Sequence, residues 1–490
     1  MTALFSLLRR PGLAASAGLL AAMLLPGCSR TYGPVPSEAQ LEWQKMEYNM
    51  FVHFGPNTFS GAEWGDGTEA EDIFCPTDLD CRQWARIARD AGMKGIILTA
   101  KHHDGFCLWP SSTSTHTVAQ SSWRGGQADV LAELSAACRE YGLKFGVYVS
   151  PWDRNHPAYG TPKYNKVFAT ALEEVHSNYG EVFEQWFDGA CGEGPSGKKQ
   201  EYDWPLFHSV VRRLSPKAIM FSDVGPGCRW MGNERGIAGE TNWSRLDTEG
   251  FCPGAGAPPA DTLQRGNVHG AHWIPAEVDV SIRPGWFWKE SENSAVKSVE
   301  QLADIWFSSV GRNALLLLNV PPDKRGRICE VDSLRLMEFR DWREAVFGFD
   351  LADGAVVKVR RVGDMAGVAC KPLCVELDLP EMRTFDVIEL RENISRGQRI
   401  SSFVIQIPEN DAGWKTIAEG TTIGYKRLLR IPECRTRRIR VVITGSYARP
   451  LIDGVSLYHS PVSQSVDIQR DAENKSANFV SAFGCHAECR

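Results

Sequence analysis

The stretch Val182-Phe183-Glu184-Gln185-Trp186-Phe187-Asp188-Gly189-Ala190 reads as a strand over residues 182–187 that gives way to a glycine turn, with a carboxylate at the change. Apolar residues recur at helical spacing on both sides of it, over residues 164–179 and 204–214. Extending the same reading outward predicts strands at 48–54, 95–100, 144–150, 218–222, 277–282 and 314–320. Helices are predicted at 82–91, 130–141, 299–310 and 331–346. Such βα repetition predicts an α/β fold, a (β/α)8-like (TIM) barrel over residues 43–346 with an irregular, Gly-rich middle. In that fold an acid at the carboxyl end of an inner strand points into the mouth where chemistry is done. Taken alone, Asp188 reads equally well as a turn cap.

Past residue 347 the helical period disappears and short strands follow at 355–360, 388–390, 402–407, 427–431 and 438–444. That pattern predicts a β-sandwich over 347–460, with a polar tail at 461–490 that carries Cys485 and Cys489. At the other end, Arg9 and Arg10 precede a small-and-apolar run too short to span a bilayer comfortably. Residues 1–28 therefore read as an export signal ending in Leu25-Pro26-Gly27-Cys28, similar to a bacterial lipobox with an atypical Pro. The expectation is an exported bacterial protein in the periplasm or outer membrane, its only membrane link a lipid on Cys28, with a tether at 29–42.

Length and charge exclude some functions. A chain of 490 residues is long enough for two folded domains, and a net charge of -6 without a basic run offers nothing to nucleic acid. Fourteen Cys are scattered without framework or paired metal spacing. Sixteen Trp favour a saccharide ligand, because indole faces pack against the apolar faces of sugar rings, though Trp also fills cores.

Four polar clusters fall at predicted strand ends: His53 in Phe51-Val52-His53-Phe54-Gly55, His102-His103-Asp104, Tyr148 in Val147-Tyr148-Val149-Ser150-Pro151-Trp152, and Asp188. Each alone suits a structural role, but one shared face favours one pocket. Three His beside carboxylates also raise the question of a metal. Adjacent residues such as His102 and His103 usually point apart, however, and no His-x-Glu-x-x-His or His-x-His occurs at a strand end, so no metal and no cofactor is expected. Neutral His hydrogen-bonding sugar hydroxyls needs fewer assumptions.

These motifs, with Glu63-Trp64-Gly65, the run from Thr99 to Pro110 and Arg283-Pro284-Gly285-Trp286, resemble glycoside hydrolase family 29, the α-L-fucosidases. The likeness covers residues 43–346. It implies a barrel followed by a β-sandwich, and exo-acting, retaining release of terminal fucose from a fucosylated oligosaccharide or glycoconjugate, with Asp188 as nucleophile. For the acid/base it implies Glu234, because Arg229-Trp230-Met231-Gly232-Asn233-Glu234 is similar to the branch acting on α-1,3 and α-1,4 linkages. Glu240 in Ala238-Gly239-Glu240 is the alternative. Implied fucose contacts are His53, Glu63, Trp64, His102, His103, Tyr148, Trp186 and Trp286, with Trp152 and Asp153 on the aglycone side. The sandwich resembles discoidin-like carbohydrate-binding domains more loosely, and a glycan-binding lipoprotein without catalysis is the competing reading.

Overall fold

The computed structural model describes residues 30–361, 372–409 and 413–460. The expected export signal with Cys28, and the expected polar tail with Cys485 and Cys489, lie outside the described residues. Eight parallel strands close a barrel: β1 (Tyr48–Val52), β2 (Gly95–Lys101), β3 (Lys144–Val149), β4 (Val182–Trp186), β5 (Ile219–Ser222), β6 (Cys228–Trp230), β7 (Ala276–Ser281) and β8 (Ala314–Asn319). Each strand pairs with its successor, and β8 returns to β1 with Tyr48 opposite Leu316. Strands buried on both faces need continuous apolar sequence, and Gly95-Ile-Ile-Leu-Thr-Ala-Lys101 is buried throughout. The intervening helices begin where short polar side chains cap them. Asp80, Asp129 and Asp203 each accept from the third helical amide of Cys81–Asp90, Val130–Tyr141 and Trp204–Leu214.

Seven of the eight strands were expected from the pattern. The eighth, β6, is only three residues long and follows β5 across residues 223–227, with no helix between them. Parallel neighbours usually need a crossover of a dozen residues or more, so neither length nor spacing signals this strand. The expected tether at 29–42 also differs. Glu38–Met46 is a helix with a capping box at Ser37 and Gln40, and it buries Trp43.

The C-terminal region is antiparallel, as expected, in strands β9 (Val356–Arg361), β10 (Leu373–Glu392), β11 (Ile400–Glu409), β12 (Gly413–Gly420), β13 (Arg427–Ser446) and β14 (Ile452–Tyr458). Hydrogen bonds join all six into one sheet. Its two long strands change register between Asp378 and Arg383, and apolar residues from both sides of that break, Val375 and Leu377 with Phe385 and Ile388, share one core. The sandwich is thus one sheet folded on itself at a bulge. It packs where the barrel strands begin. Lys426 pairs with Glu47 just before β1, Tyr425 N–H donates to Asn313 just before β8, and Val387, Leu428 and Tyr458 join the barrel's apolar core. These contacts lie at the face opposite Asp188. The ten Cys among the described residues are all unpaired.

Candidate active site

Asp188 stands just past β4, held by two hydrogen bonds with an imidazole close by. Tyr148 Oη donates to its Oδ2 at 3.0 Å, the Ala190 amide donates to its Oδ1 at 2.8 Å, and His103 Nε2 lies 3.6 Å from Oδ2. The first bond comes from β3 and His103 stands in the loop after β2, so three consecutive barrel strands converge on one carboxylate. Gly189 is required by close approach rather than by a turn. A Cβ there would meet Gly254 N at 2.4 Å and Asp223 Oδ2 at 2.6 Å.

The imidazoles are neutral and oriented. Ser150 Oγ donates to Trp152 O at 2.9 Å, so it accepts from His103 Nδ1 at 2.8 Å, and the lone pair of His103 falls on Nε2 beside Asp188. Asn319 spends its amide N–H groups on Ser281 Oγ and Trp286 O, so its Oδ1 accepts from His53 Nδ1 at 2.9 Å. That leaves His53 Nε2 as an acceptor too. Burial pushes His53 down to about 3 and His103 to about 4, and holds His102 well below the usual imidazole range. Neutral rings that accept or donate suit an uncharged polyol better than a charged ligand. The rings also touch: His102 stacks on Tyr148 at 5.7 Å, and Trp286 lies 4.9 Å from His53.

Glu234 follows β6 at the rim, and Trp286 Nε1 donates to its Oε2 at 3.2 Å. Partial burial raises its carboxyl above the ordinary value, the Trp286 bond opposes that, and the charges of Asp188 and Glu63 add to the rise. Glu63 accepts from the Trp286 amide at 2.9 Å and pairs with Lys289. It therefore fixes the loop that carries Trp286. Glu240 sits elsewhere: two-thirds exposed, it faces Arg312 at 3.7 Å, and its backbone carbonyl takes Arg427 of the C-terminal sheet. Trp64 is 59% exposed and meets the edges of His103 and Trp152 at 5.6 Å, an open aromatic face above the mouth.

Two expected contacts lie deeper than the sequence implies. Trp186 is buried with its N–H on Glu277 Oε1 at 2.9 Å, so only its ring is left to floor the pocket. Asp153 is enclosed with Lys101 at 2.9 Å and Tyr164 at 3.1 Å, so it braces the scaffold instead of facing an aglycone. Breaking one side of such a buried pair costs about 3–5 kcal/mol. Asp104 is a turn residue, accepting from Phe106 N at 2.7 Å, and burial raises it to about 6. Sequence reasoning missed Asn319, Ser150 and Lys289, which orient the contacts. It also missed two acids near the mouth: half-buried Asp223, raised to about 6 by desolvation, and buried Asp279, which takes Trp230 Nε1 at 2.9 Å. Ser150 sits inside the motif over 147–152, where a Ser reads as a spacer, and Asn319, Lys289 and the two lone acids stand outside any motif and carry no local signal. Among the described residues, the groupings with three ligand atoms close enough for a metal are Glu184, Cys228, Glu277 and Asp323, Cys329, Glu330. Neither includes a His or Asp188.

The family model described as alpha-L-fucosidase matches residues 31–346. Alpha-L-fucosidase 1 of Arabidopsis thaliana is 42% identical over 455 residues, covering 88% of this chain and 89% of its own. Among solved structures, a glycoside hydrolase 29 family member from an unknown rumen bacterium is 40% identical with a TM-score of 0.81, covering 89% of this chain and 79% of its own. A Ruminococcus gnavus GH29 fucosidase in complex with fucose is 33% identical with a TM-score of 0.78, covering 89% of this chain and 96% of its own.

Proposed function

The chain belongs to the alpha-L-fucosidase family of glycoside hydrolases, and from that premise we propose that it acts by retention, with Asp188 as nucleophile and Glu234 as acid/base, on terminal α-1,3- and α-1,4-linked fucose. One observation carries the assignment of roles. Two carboxyls face one mouth in unlike surroundings, Asp188 held by the Tyr148 hydroxyl and the Ala190 amide, Glu234 out at the rim beside the Trp286 indole, its carboxyl raised by desolvation and by the charge of Asp188 itself. A donor-rich carboxylate suits attack at an anomeric carbon; a carboxyl that keeps its proton suits donation to a leaving oxygen.

In the first step an oxygen of Asp188 bonds to the anomeric carbon while the glycosidic bond breaks and Glu234 gives its proton to the departing oxygen. In the second, Glu234 takes a proton from water, which displaces Asp188 and restores the configuration. The acceptor nitrogens of His53 and His103 and the ring of Trp186 support recognition of the sugar's hydroxyls and apolar face, and Trp64 extends an aromatic surface toward the next residue. Support for the linkage preference is the segment 229–234 alone, whose Glu234 stands at the rim where a branched aglycone leaves.

The test is a panel of α-1,2, α-1,3, α-1,4 and α-1,6 fucosides followed by proton NMR from the first minutes. Release of the α-anomer from the 1,3 and 1,4 compounds is expected. Early β-anomer overturns retention, and equal turnover of all four linkages overturns the preference.

A further inference from the structure

Beneath the pocket, sealed inside the barrel, Glu184 of β4, Glu277 of β7 and Cys228 of β6 bring their polar atoms within 4.8 Å of one another, all with no solvent exposure. Trp43 Nε1 donates to Glu184 Oε2 at 2.7 Å and Cys228 Sγ approaches Glu184 Oε1 at 3.8 Å. On the other carboxyl, Oε1 takes the Trp186 N–H, and Oε2 has no donor at all. No Lys or Arg forms an ion pair with either acid among the described residues. Two bare carboxylates this close, dry and without a cation are strongly disfavoured, and an acceptor left without a donor adds to the cost. One proton shared between Glu184 and Glu277 removes both problems.

We propose that Glu277, protonated in common with Glu184, is a positioning residue for the fucosidase reaction: it anchors the indole of Trp186 and through that ring sets Tyr148 and the end of β4 that carries Asp188. The contacts form an unbroken line. Trp186 is sandwiched by Phe221 at 3.8 Å and Tyr148 at 5.3 Å, and Tyr148 donates to Asp188 at 3.0 Å. Burial raises Glu184 to about 7 and Glu277 well above the usual carboxyl range, with Asp279 adding its charge to the latter, in keeping with a retained proton. The inference rests on the pocket assigned above, since a residue that acts through Trp186 matters only if Trp186 floors the site.

The experiment measures kcat and KM on a fucoside, with melting temperature, for native enzyme, E277M, E277Q, E277D, W186F and the double variant W186F/E277M. E277M removes the acceptor and is expected to lower kcat/KM at least tenfold at near-native melting temperature. E277Q, which mimics a protonated carboxyl, restores most of that loss. E277D draws the acceptor back by one methylene and reproduces the loss should E277M not fold. The double variant is no worse than W186F alone, because both changes break one link. Native activity in E277M or E277D, an E277Q as poor as E277M, or losses that multiply in the double variant would each overturn the proposal while leaving the pocket standing. An unimpaired W186F would instead overturn the pocket assignment, and this inference with it.

Discussion

The two sides of the barrel mouth are built differently. On the Asp188 side, β1 to β4 are five to seven residues long, and each is followed by loops whose polar groups are locked by buried neighbours such as Ser150. On the Glu234 side, β5 and β6 are four and three residues long, joined without a helix, and the acid stands at the rim with its carboxyl held by one indole. The difference suits the two proposed roles. A nucleophile must hold one line of attack, whereas an acid/base must reach a leaving oxygen and then water, so a less enclosed mounting is tolerable.

The contrast can be broken most severely at the proposed nucleophile. Asp188→Ala is expected to lower kcat/KM by more than about 10³-fold on every fucoside, measured by released fucose, with the melting temperature within a few degrees of native. Glu234→Gln comes next, with a loss of about 10²- to 10⁴-fold on a glycan but far less in the first step on a nitrophenyl fucoside, whose leaving group needs no proton. Glu240→Gln should change neither, and a glycan-specific loss there would exchange the two assignments. Tyr148→Phe removes one charge-assisted bond to Asp188 and is expected to cost about 10-fold or more in kcat with little change in KM.

The smallest effect sharpens the acid/base side. Trp286 Nε1 stabilises the ionised form of Glu234, so Trp286→Phe raises that carboxyl further. A general acid with a higher pKa stays protonated to higher pH, and the alkaline limb of the kcat/KM profile therefore moves up. A limb that moves down, or stays fixed, contradicts the role of this bond.

Legibility in the sequence follows the same divide. Where strands are long and helices amphipathic, period alone places the elements, and His53, His102, His103, Tyr148 and Asp188 were expected at one mouth and are found there. Where the chain leaves regular structure, period is silent: β6 went unseen, and Glu234 and Glu240 were separable only by likeness to a family. The structure separates them by environment, one beside Trp286 and the charge of Asp188, the other beside Arg312 and the C-terminal sheet. Depth was also illegible. A motif says that Trp186 and Asp153 matter, but only three-dimensional packing shows that one hydrogen-bonds downward to Glu277 and the other is enclosed with Lys101.

The way the folded sheet meets the barrel bears on how the molecule comes apart. Lys426, pinned under β1 by Glu47 and Glu389, and Leu428 and Tyr458, which complete the barrel's own core, make the sheet a stopper for the closed end of the enzyme. Cutting the chain near residue 348 would uncover that apolar seat and orphan Glu47 at once. The two regions are therefore expected to melt in one calorimetric transition, and a barrel cut free of the sheet is expected to be insoluble or inactive.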